Sequence, residues 1–437
     1  MNTPIDYNIV SEKIKKSGVG NIGEASIREL VRLVSDIEEK TGKKYIRMEM
    51  GVPGLPPPEV GIEAEIKALR SGVASKYANL EGLPQLKKEI SRFVKLFLDI
   101  DVEPKHCLPT VGSMQGAMAL FMLLNRTDRN KEGSLFIDPG FPVQKQQCQI
   151  LGHSYETFDV YKYRGEKLKE KLESYLSSNR FSSLVYSNPN NPSWICFTEK
   201  ELKIIGELAT KYGVIVIEDL AYFGMDFRKD VSIPGQPPYQ PTVAKYTDNW
   251  TLLISASKAF SYAGQRIGTV VISPNIFHKT YPDLRRYYPS EELGYSFTYG
   301  ALYPLSAGVS HVTQYGWAAM LKAANDGEYN FVKDVYEYGK KAEIMKKMFL
   351  ENGFEIVYDK DEDEPIADGF YFTFSYPGMT GGELLEKLLY YGISAISLKI
   401  TGSHRLEGLR ACVSQIQPSQ YADLEFRLKE FHKHNAV

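Results

Sequence analysis

The chain has 437 residues, a formal net charge of −2 and 24% charged residues. This length exceeds one minimal hydrophobic core and predicts a large domain with a smaller companion. Because acidic and basic residues nearly balance, electrostatics gives no reason to expect a nucleic acid or an anionic membrane as a partner.

The start of the chain and its cysteines indicate a cytoplasmic protein. Residues 1–18 lack the basic start and apolar run of a secretory signal. No apolar run approaches the roughly 18 residues that a membrane span needs. The cysteines are scattered without CxxC spacing, so we expect reduced, buried thiols and no metal site (Cys107, Cys148, Cys196 and Cys412).

Helices are predicted in the N-terminal region. In residues 24–40, Ile27, Leu30 and Val34 recur at helical spacing. A proline-rich turn, GVPGLPPPEV, then interrupts the chain, and residues 82–100 form the next predicted helix. Pro84 lies where a first helical turn tolerates proline.

From about residue 105, short apolar runs alternate with helical patterns. The helix predicted over 198–213 begins with Thr198 and Glu201 in capping-box spacing and stops at Gly213. Apolar strands separated by helices predict an α/β fold with a mostly parallel sheet covered on both faces. The candidate strands are SLFID (134–138), SLVYS (183–187), GVIVIED (213–219), TLLISA (251–256) and IGTVVIS (267–273).

The last hundred residues have a different pattern. A long helical segment, about 328–352, leads to the acidic loop DKDEDEP and then to GFYFTFSYP. This order predicts a smaller α+β domain with a mainly antiparallel sheet. We predict a large domain over 56–327 and a small domain formed by 1–55 with 328–437.

Polar residues follow the predicted strands, where ligands of open α/β sheets bind. Gly112 and Ser113 open a helix whose free N–H groups suit a phosphate. A lysine, a carboxylate and an anion site together are what pyridoxal phosphate (PLP) requires. The residues after the strands are Asn191, Asp219, Tyr222, Ser255, Ser257 and Lys258, with Arg266 following.

These motifs carry a family resemblance over nearly the whole chain. In order they read VGSMQGA, DPGFP, NPNNP, EDLAY, SASKAF with GQRIG, and LRAC. The chain resembles the class I/II, fold-type-I family of PLP-dependent aminotransferases. The resemblance implies a transferase that moves an amino group between an L-amino acid and a 2-oxo acid.

The resemblance assigns cofactor roles residue by residue. It implies that Lys258 holds PLP as a Schiff base and shuttles a proton, and that Asp219 pairs with the ring nitrogen. Asn191 and Tyr222 would hydrogen-bond the ring oxygen, and Phe141 would stack on the ring. The implied phosphate ligands are Ser113, the Met114 backbone, Ser255, Ser257 and Arg266.

Substrate and partner roles follow from the same resemblance. Arg410, with Asn191, would bind the substrate α-carboxylate in a forked contact, and Arg405 is the rival for this role. Tyr77 would reach the phosphate of a neighbouring subunit, which implies a homodimer. Three departures from the family pattern are Ser193-Trp194 after NPNNP, Phe141 in place of a polar aromatic residue, and Pro53 in a turn where glycine is common.

Several alternatives stay open on the sequence. Another PLP reaction, a β-lyase or a decarboxylase, would use the same scaffold, and a PLP-binding regulator is a non-enzymatic alternative. The tyrosine-rich segment 277–327 is predicted to be a lid or part of a dimer interface. There, Arg285 and Arg286 are either receptors for a second substrate carboxylate or solvated side chains.

Overall fold

The structure is a computed structural model and describes residues 3–436. Its strands, in chain order, are β1 (Ile46–Arg47), β2 (Cys107–Thr110), β3 (Ser134–Asp138), β4 (Tyr155–Asp159), β5 (Ser183–Ser187), β6 (Ile215–Leu220), β7 (Trp250–Ser255), β8 (Gly268–Ile272), β9 (Glu355–Ile356), β10 (Lys360–Asp361), β11 (Glu364–Pro365), β12 (Tyr371–Ser375), β13 (Ile393–Ser394), β14 (Ile396–Ser397) and β15 (Leu409–Cys412).

The α-helices are α1 (Tyr7–Lys16), α2 (Ile27–Thr41), α3 (Glu59–Arg70), α4 (Pro84–Leu98), α5 (Gly112–Leu124), α6 (Pro142–Ile150), α7 (Glu166–Leu176), α8 (Glu199–Tyr212), α9 (Ala256–Ala259), α10 (Pro274–Phe277), α11 (Leu293–Tyr295), α12 (Tyr303–Ser306), α13 (His311–Asn325), α14 (Phe331–Glu351), α15 (Gly381–Tyr390) and α16 (Tyr421–Asn435). A π-helical segment, Ser296–Leu302, joins α11 to α12.

A seven-stranded sheet with the order β2-β8-β7-β6-β5-β3-β4 forms the centre of the molecule. Strands β7, β6, β5, β3 and β4 run parallel, whereas β8 runs antiparallel to both of its neighbours. The five predicted strands all lie in this sheet, and the predicted α/β class with a mostly parallel sheet is confirmed. The two strands that the sequence reading did not identify, β2 and β4, are its edges.

Local sequence signals set the ends of the helices. Thr198 and Glu201 form the predicted capping box of α8, and Gly213 ends it with a φ of 59°. The residue at that end needs a left-handed backbone, which glycine adopts without a Cβ clash. Ser26 caps α2 in the same way, so that helix begins at Ile27.

A second, antiparallel sheet lies in the C-terminal part, with the order β14-β15-β12-β9. Helix α14 packs on β12 and β9, and α15 packs on β14. The N-terminal segment joins this region, because Ile46 pairs with Ile393 and the Ile5 amide donates to the Tyr390 carbonyl at 3.2 Å. The domain boundaries after residues 55 and 327 stay a prediction.

The carboxyl ends of the central strands bring polar side chains to one edge of the large sheet. Strand β6 carries Asp219 near its end, β7 ends at Ser255, and the one-turn helix α9 carries Lys258. Ser255 therefore both closes a strand and caps a short helix, because its Oγ accepts from the Ser257 amide. Within residues 3–436, no helix combines the length and the apolar character needed to cross a bilayer.

Candidate active site

Lys258 is a half-buried lysine in α9, directly after β7. Its Nζ donates to the Gly51 carbonyl and lies 5.4 Å from the centre of the Phe370 ring. Burial lowers the pKa of Lys258 to about 8, and the charges of Arg410 and Arg266 act in the same direction. Because a neutral amine is the nucleophilic form, this surrounding prepares Lys258 to attack a carbonyl near neutral pH.

Asp219 presents a buried carboxylate one strand away from Lys258. Its Oδ1 accepts from the Ala221 amide at 3.1 Å and its Oδ2 from Gln144 Nε2 at 2.9 Å. Burial raises the pKa of Asp219 to about 6, while the two hydrogen bonds oppose that shift. A cationic ligand nitrogen next to this carboxylate would favour its ionised form.

An anion cradle lies at the start of α5. A Cβ built on Gly112 would come within 2.7 Å of Arg266 Nη2, and Gly112 has a φ of +68°. Only glycine therefore lets the Arg266 guanidinium come so close to the backbone at this helix start. The free amides of Ser113 and Met114, in the first turn, are donors suited to a phosphate.

The two serines predicted as phosphate ligands, Ser255 and Ser257, precede Arg266 in the chain and are buried. The Ser255 oxygen accepts the Ser257 amide at 3.1 Å, so its hydroxyl hydrogen is still available to a ligand. Gly268, opposite Ser255 across β7 and β8, would place a Cβ only 3.0 Å from the Ser113 amide nitrogen. These contacts place the serine turn and the α5 start at the same end of the sheet.

Arg410 extends from β15 and is only 3% exposed. Its Nη1 donates to Asn191 Oδ1 at 3.2 Å, and its Nη2 donates to the Glu49 carbonyl at 2.5 Å. Its Nε has no hydrogen-bond partner among the described residues. An unpartnered buried guanidinium N–H is costly, so this side chain is suited to an anionic ligand such as a carboxylate.

The rival arginine lies elsewhere. Arg405 Nε contacts Glu407 Oε1 at 2.7 Å, and its guanidinium lies 4.9 Å from the centre of the Tyr161 ring. Arg405 therefore already has an acidic partner, whereas Arg410 contacts Asn191. Of the two, the structure brings only Arg410 into contact with another predicted site residue.

Tyr222 is buried within an aromatic cluster. Its hydroxyl lies 2.7 Å from the Tyr371 hydroxyl, and its ring centre lies 5.4 Å from that of Trp194. Trp194 has a φ of 66° and packs against Gly369, where a Cβ would meet the indole. The departure from the family pattern at Trp194 thus has a packing role behind Tyr222.

The remaining predicted residues are less tightly connected. Phe141 is half-buried and directly precedes α6, and Tyr77 is 94% exposed. Arg285 donates to the Pro289 carbonyl, and Arg286 donates to the Asp283 carbonyl at 3.2 Å. Both arginines thus contact their own exposed segment, and their role as carboxylate receptors stays a prediction.

Three residues of this site were missed by the sequence reading. They are Gly51, Gln144 and Tyr371. The Gly51 carbonyl accepts from Lys258, Gln144 donates to Asp219, and the Tyr371 hydroxyl contacts that of Tyr222. Gln144 and Tyr371 come from elements distant in the chain, and no local pattern marks them. Gly51 could have been found from the sequence, because it belongs to the glycine- and proline-rich turn GVPG.

The donor set fits PLP. The structure supplies a nucleophilic amine at Lys258, a buried carboxylate at Asp219 and a glycine-lined phosphate cradle at Gly112 and Arg266. These are the three groups that an aldehyde-bearing pyridine phosphate needs from a protein.

Comparisons with known proteins identify the family of this chain. A family model described as aminotransferase class I and II matches residues 43–346. A probable aspartate aminotransferase of Methanocaldococcus jannaschii is 26% identical over 395 residues, which cover 84% of this chain and 96% of that protein. An asparagine–oxo-acid transaminase of Streptococcus mutans is 27% identical over 261 residues, covering 57% of this chain and 63% of that protein.

Solved structures share the fold. An alanine aminotransferase from Pyrococcus furiosus superposes with a TM-score of 0.75 at 20% identity, covering 96% of this chain and 99% of that chain. An aspartate aminotransferase from Thermotoga maritima also gives a TM-score of 0.75, at 18% identity and with the same coverage of 96% and 99%. At these identities the likeness establishes the fold.

Proposed function

The chain belongs to the aminotransferase class I and II family and is an aminotransferase, and from that premise we propose that it works with PLP bound at Lys258. It would move an amino group between an L-amino acid and a 2-oxo acid. The observation that carries this proposal is the position of Lys258 directly after β7, next to β6 with its buried Asp219, where the pKa of the lysine is lowered to about 8.

PLP supplies an aldehyde that condenses with amines and a ring that withdraws electrons from the substrate α-carbon. In our proposal Lys258 provides the anchoring amine and, once freed by the substrate, carries a proton to and from the α-carbon. Asp219 would keep the ring nitrogen protonated, which favours electron withdrawal. Asn191 and Tyr222 would donate to the ring oxygen, and Phe141 would stack on the ring.

Two anion sites orient the reactants in this proposal. The phosphate would bind at the start of α5, on the amides of Ser113 and Met114, together with Arg266 and the hydroxyls of Ser255 and Ser257. The substrate α-carboxylate would bind Arg410, whose Nε has no partner among the described residues. Asn191, already bonded to Arg410, would hold that guanidinium in place.

We further propose a homodimer in which Tyr77 reaches the phosphate of the partner subunit. Tyr77 is almost fully exposed, and exposed aromatic side chains also mark the tyrosine-rich segment, including Tyr295, Tyr299 and Tyr303. Exposed aromatic patches of this kind are typical of interfaces. We propose a cytoplasmic location because all four cysteines are buried free thiols.

The amino donor is the open part of the proposal. The names of the relatives include aspartate, asparagine and LL-diaminopimelate as substrates, so they select no single donor for this chain. We take 2-oxoglutarate, which becomes glutamate when it receives the amino group, as the first acceptor to test.

The test is an amino-donor screen with purified, PLP-loaded protein. Each common L-amino acid is mixed with 2-oxoglutarate, and glutamate formation is measured together with the change in cofactor absorption. We expect at least one donor to convert the cofactor to its amine form and to yield glutamate. Release of ammonia and a keto acid without that conversion would indicate a β-lyase, and no conversion with any donor would favour a PLP-binding regulator.

A further inference from the structure

Tyr371 contacts residues on both sides of the candidate site. Its hydroxyl lies 2.7 Å from that of Tyr222, and the Arg410 guanidinium lies 4.5 Å from the centre of its ring. Strand β12 pairs antiparallel with β15, with Tyr371 opposite Cys412 and Thr373 opposite Arg410. Tyr371 is therefore a diagonal neighbour of Arg410 on the same face of the small sheet.

The backbone at Gly51 makes room for this phenol. A Cβ built on Gly51 would come within 2.0 Å of the Tyr371 hydroxyl oxygen. The Gly51 carbonyl accepts the hydrogen bond from Lys258 Nζ. Gly51 thus contacts the Tyr371 hydroxyl through its side-chain-free Cα and accepts the Lys258 amine through its carbonyl. The phenol therefore lies close to the reacting lysine.

The charges around this hydroxyl are few. Arg410 and Cys412 of β15 and the phenol of Tyr222 surround Tyr371, and Lys258 lies beyond Gly51. Burial raises the pKa of Tyr222 and of Tyr371 well above that of a free phenol, so both hydroxyls stay protonated. Two protonated phenols in contact share one hydrogen bond, in which one donates and the other accepts.

We propose that Tyr371 is a positioning residue that couples the two halves of the site: its hydroxyl donates to Tyr222, and its ring supports the Arg410 guanidinium. This inference rests on the proposed function, in which Tyr222 donates to the cofactor ring oxygen and Arg410 binds the α-carboxylate. When Tyr222 uses its hydrogen for that oxygen, only its lone pairs face Tyr371, which then has to be the donor. A phenol that accepts a hydrogen bond is itself a stronger donor.

The two parts of Tyr371 predict separable effects. Removing the hydroxyl weakens Tyr222 as a donor, so negative charge on the ring oxygen is less stabilised and the linked lysine nitrogen keeps its proton to higher pH. Removing the ring releases one face of Arg410, which weakens binding of the substrate carboxylate.

The experiment compares Tyr371→Phe and Tyr371→Leu with wild type, all loaded with PLP. The visible absorption of the bound cofactor is titrated against pH, and KM and kcat are measured with the best donor from the screen. For Tyr371→Phe we expect the pH midpoint to rise by about 0.5 pH units with KM within about twofold of wild type. For Tyr371→Leu we expect the same midpoint shift and a KM raised about fivefold.

Two further variants make the result specific. Tyr376→Phe removes a phenol hydroxyl that bonds His432 and is the matched control, for which no midpoint shift is expected. In a Tyr222→Phe background, the Tyr371→Phe change should add no further shift, because its acceptor is gone. If Tyr371→Phe folds poorly, Tyr371→Leu reads out the same loss of the hydroxyl.

An unchanged midpoint in Tyr371→Phe would overturn the inference, and so would additive shifts in the double variant. Equal shifts in Tyr371→Phe and Tyr376→Phe would also contradict it, because the effect would then not depend on contact with Tyr222. If wild-type protein develops no visible absorption with PLP, the proposed function itself fails, and that result is distinct from a failure of the variants alone.

Discussion

Two groups of charged side chains in this molecule differ in how their charges are paired. In the first, which we call the arginine clamp (Arg164, Glu201, Arg228 and Asp361), each charge has an opposite partner. Arg164 contacts Glu201 at 2.8 Å and Asp361 at 3.0 Å, and Arg228 contacts Asp361 at 2.9 Å. In the second, the cations Lys258, Arg266 and Arg410 have no carboxylate within salt-bridge distance among the described residues.

The arginine clamp has a structural role that the sequence analysis did not predict. Asp361 belongs to DKDEDEP, predicted as an acidic loop, but the structure forms a hairpin from β10 and β11 there. Its carboxylate also accepts the Cys196 amide at 3.1 Å, in the segment that follows Asn191. The clamp thus fixes the loop behind the site. The contrast teaches that cations paired with buried carboxylates hold the structure, whereas cations without a carboxylate partner are available for ligand anions.

Replacing the reacting amine should give the largest effect. Lys258→Ala should lower turnover at least about a thousandfold, because no other group supplies the amine and moves the proton. Steady-state rates and the absorption of bound cofactor measure this. Lys131→Ala, which removes an amine that donates to the Tyr212 and Gly213 carbonyls, is the control and should retain turnover. Wild-type rates in Lys258→Ala would refute the assignment.

Breaking the clamp should reduce stability rather than chemistry. Asp361→Asn removes the carboxylate shared by Arg164 and Arg228, although Arg164 keeps Glu201 and Arg228 keeps Asp226 as acidic partners. It should lower the free energy of unfolding by about 2 kcal/mol. Urea denaturation followed by circular dichroism measures this change. Asp363→Asn, exposed in the same hairpin, should leave stability nearly unchanged. If both variants behave alike, the clamp does not carry the stability we assign to it.

At the carboxylate site we expect an intermediate effect. Arg410→Lys keeps the charge but loses the fork that binds a carboxylate through two N–H groups, and KM for the amino donor should rise about tenfold or more. The change in kcat should be smaller. Arg405→Lys is the matched control, because Arg405 is paired with Glu407. A larger KM increase in the control would move the carboxylate role to Arg405.

The smallest expected effect is on pH-dependent stability. The pKa of Lys258 in the folded protein, about 8, lies below its usual 10.5, so the unfolded chain binds more protons between these values. Stability of the cofactor-free protein should therefore rise across about pH 8 to 10.5, relative to Lys258→Met. Urea unfolding of both proteins at several pH values measures the difference. A difference that stays constant with pH would show that burial does not shift this amine.

The difference in hydrophobicity between the edge strands and the central strands of the large sheet explains which strands were predicted. The bounds of β3 and β5 agree with the runs SLFID and SLVYS, because central strands are covered on both faces and are apolar throughout. Strand β2 contains Pro109, which an edge strand tolerates, and β4 has half-exposed residues at its start. Such edges carry weak hydrophobic signals, so periodicity did not detect them.

The order of short motifs along the chain was sufficient to identify the family, and it predicts a PLP site around Lys258. This is because each motif places its polar residues within a few positions of a strand or helix end, and those ends are set by local sequence. The contact of Arg410 with Asn191, the bond from Gln144 to Asp219 and the contact of Tyr371 with Tyr222 were decided by tertiary structure alone. They join residues far apart in the chain, and only the packing of the two sheets determines which of them meet.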